Sequence, residues 1–410
     1  MHNNTRFQIS TLSAAIASTL LSGYATAQEL LIEEVTVTAT RRSESLQDIP
    51  INITALSNAI IERDRLTDLA DVARVVPGLT VVDQGPRSGN ILTVSTITAS
   101  DGDNSGGGTV GTYIGEIPLY IDFKLNDMER VEVLMGPQGT LYGAGTMGGA
   151  VRYIPNRPQA DALSYQVRGD LYSLTHSDDA GYEGGGTLNI PIIDDTLAFR
   201  ASIDYLNDPG FIDYNYLVRQ AGVSNPQPPP GERDANLKQK KDVNTGRAAL
   251  RYTSEHLDST LSYYYQDQDT GGRQINQRDS YGTGKYESAD RFEEPNSRKN
   301  ELFALEILAD LGFAELTSAT GYSEYTQKNG QRDQTDLLLA FEYGYELFPS
   351  FSAFTRENAD ADTFTQELRL VSTSDGPLSW IAGGFYNDFD NSTLSEEFTP
   401  GFDQFAVDEL

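Results

Sequence analysis

Gly143, Gly145 and Gly148, in YGAGTMGGA at 142–150, stand in G-x-G-x-x-G order. In a strand-to-helix corner that spacing holds a dinucleotide pyrophosphate on backbone N–H groups and a helix dipole. The chemistry requires a buried strand running straight into the glycines and a helix opening at the last one. Neither flank provides this. Gly136, Pro137 and Gly139 end the strand-like VEVLM well before Gly143, and AVRYIPNRP follows, alternating in β fashion with prolines at 155 and 158. Gly136, Pro137, Gly139, Gly143, Gly145, Gly148 and Gly149 are therefore read as turn positions and not as a cofactor cradle.

Other candidates for chemistry are few. The three histidines are His2, His176 and His256, and no HExxH, GxSxG or GxxxxGK[ST] motif occurs. With no cysteine, thiolate nucleophiles, disulfides and Cys-ligated metals are excluded. Asp101, Asp103 and Asn104 carry hard oxygen ligands, but D-G-D-N-S lacks the spaced acidic ligand of an EF-hand, so a solvated loop is expected and no metal. Neither a cofactor nor an enzymatic activity is expected. Arg87, in DQGPRSGN, presents a planar guanidinium that suits an anionic ligand. Among Tyr263, Tyr264 and Tyr265, alternation puts Tyr264 opposite the other two, which read as interfacial girdle residues.

The elements that must position these residues are mainly strands. The chain has 410 residues, with 22 Tyr, 37 Gly and one Trp, a balance suited to β-structure with many turns. A net charge of -30 opposes nucleic-acid binding. Residues 1–27 read as a secretory signal: Arg6, a moderately apolar run from Ile9 to Leu21, and Ala25-Thr26-Ala27 as a cleavage site before Gln28. No later stretch reaches the ~18 apolar residues of a spanning helix, so any membrane role falls to strands.

Two regions follow. Up to about Pro158 short β patterns surround one helical stretch, Ala55 to Val76, with strands expected at 91–97, 115–121 and 130–135 and a loop at 101–112. From about 162 the chain alternates with period two. In TLAFRASIDYL, Leu197, Phe199, Ala201, Ile203 and Tyr205 share one face, while Arg200 and Asp204 share the other. Nine candidate strands lie near 163–173, 182–190, 196–206, 245–254, 258–267, 300–309, 312–325, 363–372 and 377–388. Tight turns alternate with long polar links at 207–244, 268–299 and 326–362, the asymmetry of outer-membrane barrels, in which Arg200 and Glu367 face the lumen.

With these features in hand, the chain resembles the TonB-dependent outer-membrane receptors along its mature length. Glu33-Glu34-Val35-Thr36-Val37-Thr38-Ala39 is similar to the TonB box. LQDIPINITALS at 46–57, LADVARVVPGL at 69–79 and RVEVLMGPQGTLYGAGTMGGAVRYIPNRP at 130–158 are similar to the plug, and TFTQELRLVS at 363–372 to a recurrent barrel strand. The resemblance implies a mixed fold, a small α/β plug domain followed by antiparallel transmembrane β-barrel strands. Its divisions are a signal peptide at 1–27, a TonB-box region and linker at 28–45, a plug at 46–158 and the N-terminal part of a barrel at 159–410.

The implied function is energised uptake of a large scarce nutrient, a ferric siderophore being the commonest, by a protein of the cell outer membrane. Implied partners are TonB with its inner-membrane energising complex, outer-membrane lipid and a small-molecule or metal-chelate substrate. A vitamin or oligosaccharide receptor carries the same motifs, and a passive or transport-deficient channel or surface-binding protein is the alternative class. Substrate contact is expected at the apical loops 83–90 and 98–112, with Arg87, Asn90, Asp101, Asp103 and Asn104. Two departures stand out: Ser95-Thr96 and Met135 occupy positions where the family carries plug arginines, so a lumen glutamate such as Glu367 is expected to be solvated or paired elsewhere. Because a barrel holding such a plug needs roughly 22 strands, nine leave it incomplete in this chain, which reads as part of a longer receptor.

Overall fold

The computed structural model of the chain describes residues 36–38, 41, 44–45, 52–83, 90–94, 97–100, 109–119, 123–124, 126–142, 145–224, 241–276, 278–336, 348–373 and 378–409. The signal sequence read at 1–27 lies outside them.

The chain first forms a small hairpin, β1 (Thr36–Val37) with β2 (Glu44–Ser45), then β3 (Asn52–Ser57), α1 (Asn58–Asp64) and α2 (Leu69–Val75). The helical spacing expected over 55–76 is thus a strand end and two short helices. Arg65 takes a left-handed φ of 51° and breaks the run, while Asp68 caps α2 by accepting the Asp71 N–H at 2.9 Å. Ile61, Leu66, Leu69 and Val72 still share one buried face, which is why the periodicity survives the break.

Next come β4 (Leu79–Asp83), β5 (Asn90–Val94), β6 (Ile97–Ser100), β7 (Val110–Ile114), β8 (Ile117–Leu119), β9 (Met128–Met135), the single turn α3 (Gly139–Tyr142) and β10 (Gly149–Pro155). Strand formation in the expected loop 101–112 begins at Val110, and the strand expected at 115–121 is a hairpin whose turn is Gly115-Glu116. A five-stranded sheet runs β3-β9-β10-β7-β8, parallel only between β10 and β7, and β4-β5-β6 make a second, three-stranded sheet. Gly149 shows why the glycine-rich segment is needed: at φ 149° a Cβ there would stand 2.2 Å from the Leu134 carbonyl oxygen.

The second region is one antiparallel sheet of nine strands: β11 (Ser164–Ser173), β12 (Ala180–Ile193), β13 (Leu197–Asp208), β15 (Lys241–Thr253), β16 (Leu257–Thr270), β18 (Asn296–Asp310), β19 (Ala314–Asp333), β20 (Phe354–Ser372) and β21 (Ile381–Phe398). Between them, β14 (Asp213–Tyr214) pairs in parallel with β17 (Glu287–Ser288), and α4 (Arg278–Tyr281) and α5 (Phe402–Glu409) complete the elements. The sheet does not close: β11 and β21 stand at its two edges.

The strands outrun the sequence expectation at their outer ends. Residues 389–398, beyond the strand expected at 377–388, continue β21 in register with β20 up to Phe354↔Phe398. There the sequence NDFDNSTLSEEF is polar on both faces, so hydrophobic alternation, the signal for a half-buried strand, vanishes while main-chain pairing continues. The same effect lengthens β19 and β20 into the link expected at 326–362.

Side chains of the nine-stranded sheet divide between an exposed apolar face and an inner face packed on the plug. Tyr165, Val167, Ile203, Leu261, Phe303 and Leu368 are exposed on one face, while Tyr264, Leu302, Ala304 and Ala319 turn inward and join the plug residues Ile114, Ile117, Phe123 and Val131 in a single buried cluster. Tyr264 lies opposite its neighbours as alternation required, its ring centroid 6.0 Å from that of Phe123. Charged inward positions find plug partners: Arg200 donates to Asp127 at 2.7 Å, and Arg247 reaches the same carboxylate at 3.2 Å.

Candidate functional site

Thr36, Val37 and Thr38, of the stretch read from the sequence as TonB-coupling, are held where the plug sheet meets the wall. β9 and β10 are both buried, so the charged residues Glu132 and Arg152, opposite one another in register, have no access to water and must satisfy each other. Arg152 Nη1 donates to Glu132 Oε2 at 2.7 Å and to Thr38 Oγ1 at 2.9 Å; Arg152 Nη2 donates to Glu116 Oε1 at 2.9 Å. Glu132 Oε1 in turn accepts the Thr38 backbone N–H at 3.2 Å and Arg130 Nε at 2.8 Å. Thr38 is thereby bound through both main chain and side chain.

Arg41 is the second anchor, its side chain only 2% exposed. It pairs with Glu116, donates from Nε to the Leu141 carbonyl at 3.2 Å, and lies 4.1 Å from the Tyr142 ring centroid. Glu116 joins this segment to the wall, because Arg369 Nη2 on β20 also donates to its Oε2 at 2.9 Å. Glu367, two residues away on the same face, pairs with Arg369 and stands 3.7 Å from Arg41. Glu367 is therefore paired, through Arg41 of the segment before the plug and Arg369 of its own strand. Burial alone would raise the Glu116 carboxyl, but Arg41, Arg152 and Arg369 outweigh it and hold the group at about 2. The chemistry on offer is a set of charge-assisted hydrogen bonds that fix one short extended segment against plug and wall together.

Of the coupling residues singled out in the sequence, Thr36, Val37 and Thr38 are described, with Val37 fully buried; Glu33, Glu34, Val35 and Ala39 lie outside the described residues. So do Arg87, Asp101, Asp103 and Asn104, the position Ser95-Thr96, and Gly143. Asn90 opens β5, opposite Asp83. Of the turn residues, Gly136 and Gly145 have positive φ, and the Gly136 N–H donates to the Gly148 carbonyl at 2.9 Å; Pro137 and Gly139 lie between β9 and the end of α3. Met135 pairs in register with Gly149 and Asn52. Sequence reasoning missed Arg41, Glu116, Glu132, Arg152 and Arg369. One signal was present: aligning RVEVLM antiparallel to AVRYI sets a lone acid opposite a lone base inside two apolar strands.

Comparison with known proteins bears on what this arrangement serves. Residues 45–150 match the family described as TonB-dependent Receptor Plug Domain. A hemin receptor of Yersinia enterocolitica is 30% identical over 164 residues, 36% of this chain and 23% of the relative. The vitamin B12 transporter BtuB of Vibrio vulnificus (strain CMCP6) is 31% identical over 186 residues, 43% of this chain and 28% of the relative. Among solved structures, the ferric yersiniabactin uptake receptor FyuA from Yersinia pestis has a TM-score of 0.65 at 16% identity, covering 85% of this chain and 50% of that one. BauA, the ferric preacinetobactin receptor from Acinetobacter baumannii, has 0.62 at 15% identity, covering 90% and 51%. The chain thus spans about a quarter of the length of the curated relatives and about half of the solved ones.

Proposed function

This chain belongs to the TonB-dependent receptor family, and on that premise we propose that it supplies the plug and the first part of the wall of an outer-membrane receptor for energised uptake of a large, scarce nutrient. TonB, driven by its inner-membrane complex, takes hold of residues 33–39 by adding them as a strand to its own sheet edge, and pulling rearranges the plug. The observation that carries this reading is the docking of Thr38 and Arg41: a short extended segment is tied to plug and wall by the hydrogen bonds of Thr38 and the ion pairs of Arg41, with Val37 buried beside them. EEVTVTA carries four consecutive β-branched residues, Val35 to Thr38, the composition for which strand addition is favourable.

The substrate is a ferric siderophore in this reading, supported by the two fold neighbours whose names mention ferric ligands. The curated relative named for vitamin B12 supports a vitamin as the alternative substrate, and an oligosaccharide receptor carries the same motifs. Contact is assigned to Arg87, Asn90, Asp101, Asp103 and Asn104, in the polar, glycine-rich stretches 83–90 and 98–112 of the sequence.

Growth of a deletion strain on a panel of iron chelates, hemin, cobalamin and glycans identifies the substrate, and the Val37→Pro variant then tests the coupling. Proline removes a main-chain donor and fixes φ, so energised uptake is expected to fall to the level of a strain lacking TonB while surface binding stays intact. Wild-type uptake by the variant would refute coupling through this segment.

A further inference from the structure

Between the plug and the wall lies a cavity of about 440 Å³, bordered by Thr38 and Arg41 on the plug side and by residues of β15, β16, β18, β19 and β20 on the other. Small inward side chains create it: Thr260, Ser262, Ala304 and Thr317 leave the wall shallow opposite Gly115. Gly115 suits this position, since at φ 58° a side chain would be strained and its Cβ would displace Glu306 Oε1, 2.0 Å away.

The lining is rich in arginine in a chain whose net charge is -30. Among the described residues, six arginines border the cavity, Arg41, Arg130, Arg152, Arg157, Arg247 and Arg369, with four glutamates, and Glu132, Asp127 and Glu367 outside the lining pair with Arg152, Arg247 and Arg369. The glutamates are largely committed. Glu116 already holds three arginines, Glu306 accepts the Glu116 backbone N–H at 2.7 Å, and Glu129 pairs with Arg130. Donors, by contrast, are left over. The Nε–H groups of Arg152, Arg247 and Arg369 and the hydroxyl of Thr260 are buried and have no hydrogen-bond partner within the protein. The three arginine side chains are 0%, 5% and 7% exposed. Buried donors of this kind call for an acceptor, and guanidinium N–H groups favour the planar or tetrahedral oxygens of carboxylate and phosphate.

We propose that this cavity binds an oxyanion, a carboxylate or phosphate group, at the plug–wall interface directly behind the coupling segment. Arg247 and Arg369 on the wall and Arg152 on the plug share the anion, and Thr260 adds a neutral donor. Thr38 and Arg41 form one side of the site, so withdrawing the segment opens it. Only its use as a waypoint for an anionic substrate rests on the uptake reading; binding itself does not.

The test is equilibrium binding of inorganic phosphate to the purified receptor in detergent, with citrate as competitor. Saturable binding is expected, at least tenfold weaker in Thr260→Val, which keeps the shape of the side chain and removes one donor, and weaker again in Arg247→Gln. Displacement by citrate would show that the site takes carboxylates; binding without displacement would restrict it to phosphate. Absence of saturable binding in the wild type, or unchanged affinity in a folded Thr260→Val protein, overturns the proposal. Failure of the uptake reading would leave these outcomes unaffected, because no energy source enters the measurement.

Discussion

Arg41 and Glu116 form a buried ion pair across 75 residues of sequence, and the same carboxylate accepts from Arg369, 253 residues further on. One acid therefore links the segment before the plug, the plug hairpin and the barrel wall. Removing one member of a buried pair leaves an uncompensated charge, at a cost of ~3–5 kcal/mol. Arg41→Ala is accordingly expected to undock the segment around Thr38. A nitroxide at position 36 should change from an immobilised to a mobile spectrum in the variant, without ligand. Arg41→Lys should restore this only in part, because an ammonium cannot reach Glu116, the Leu141 carbonyl and the Tyr142 face together.

Acid should undock the segment as well, and in a defined range. The Glu116 carboxyl titrates at about 2 in the folded protein, below its ordinary value of 4.5. A group depressed on folding binds more protons in the free state, so its contribution is complete above about 4.5 and is lost as the pH falls through about 2. The spin-label spectrum should therefore hold constant down to pH 4.5 and loosen below it. Glu116→Gln should abolish this step, and a midpoint near neutrality would place the controlling group elsewhere.

Gly149→Ala probes the turn chemistry of the plug. A Cβ at this φ meets the Leu134 carbonyl oxygen at 2.2 Å, main chain that cannot swing aside, and strained backbone of this sort costs on the order of 1–3 kcal/mol before the clash is counted. Limited proteolysis should cut the variant's plug faster than the wild type, while Gly139→Ala, where a Cβ meets nothing within 4 Å, should resist like the wild type.

How much was legible in the sequence follows from where a residue's signal resides. Strands such as β13 were readable because Leu197, Phe199 and Ile203 face one medium and Arg200 and Asp204 another. Over residues 389–398 both faces of β21 are polar, and the strand became indistinguishable from a loop. The helices α1 and α2 merged into one because Arg65 breaks the backbone without interrupting the apolar stripe. The ion cluster was hidden for a different reason: Arg41, Glu116 and Arg369 are remote in sequence, and only the closed packing of plug on wall brings them together. Glu132 and Arg152 were the exception, since their pairing follows from the register of two adjacent strands.

The central claim is that residues 33–39 are the strand TonB grasps. The chain contains no cysteine, so single cysteines can be introduced along this segment without background. Disulfide trapping in intact cells against a cysteine on the TonB sheet edge measures the contact directly. Cross-links are predicted at positions 33–39, rising when substrate is added, and none at positions 52–57, which are committed to β3. Trapping confined to other positions, or equal with and without substrate, would contradict the account.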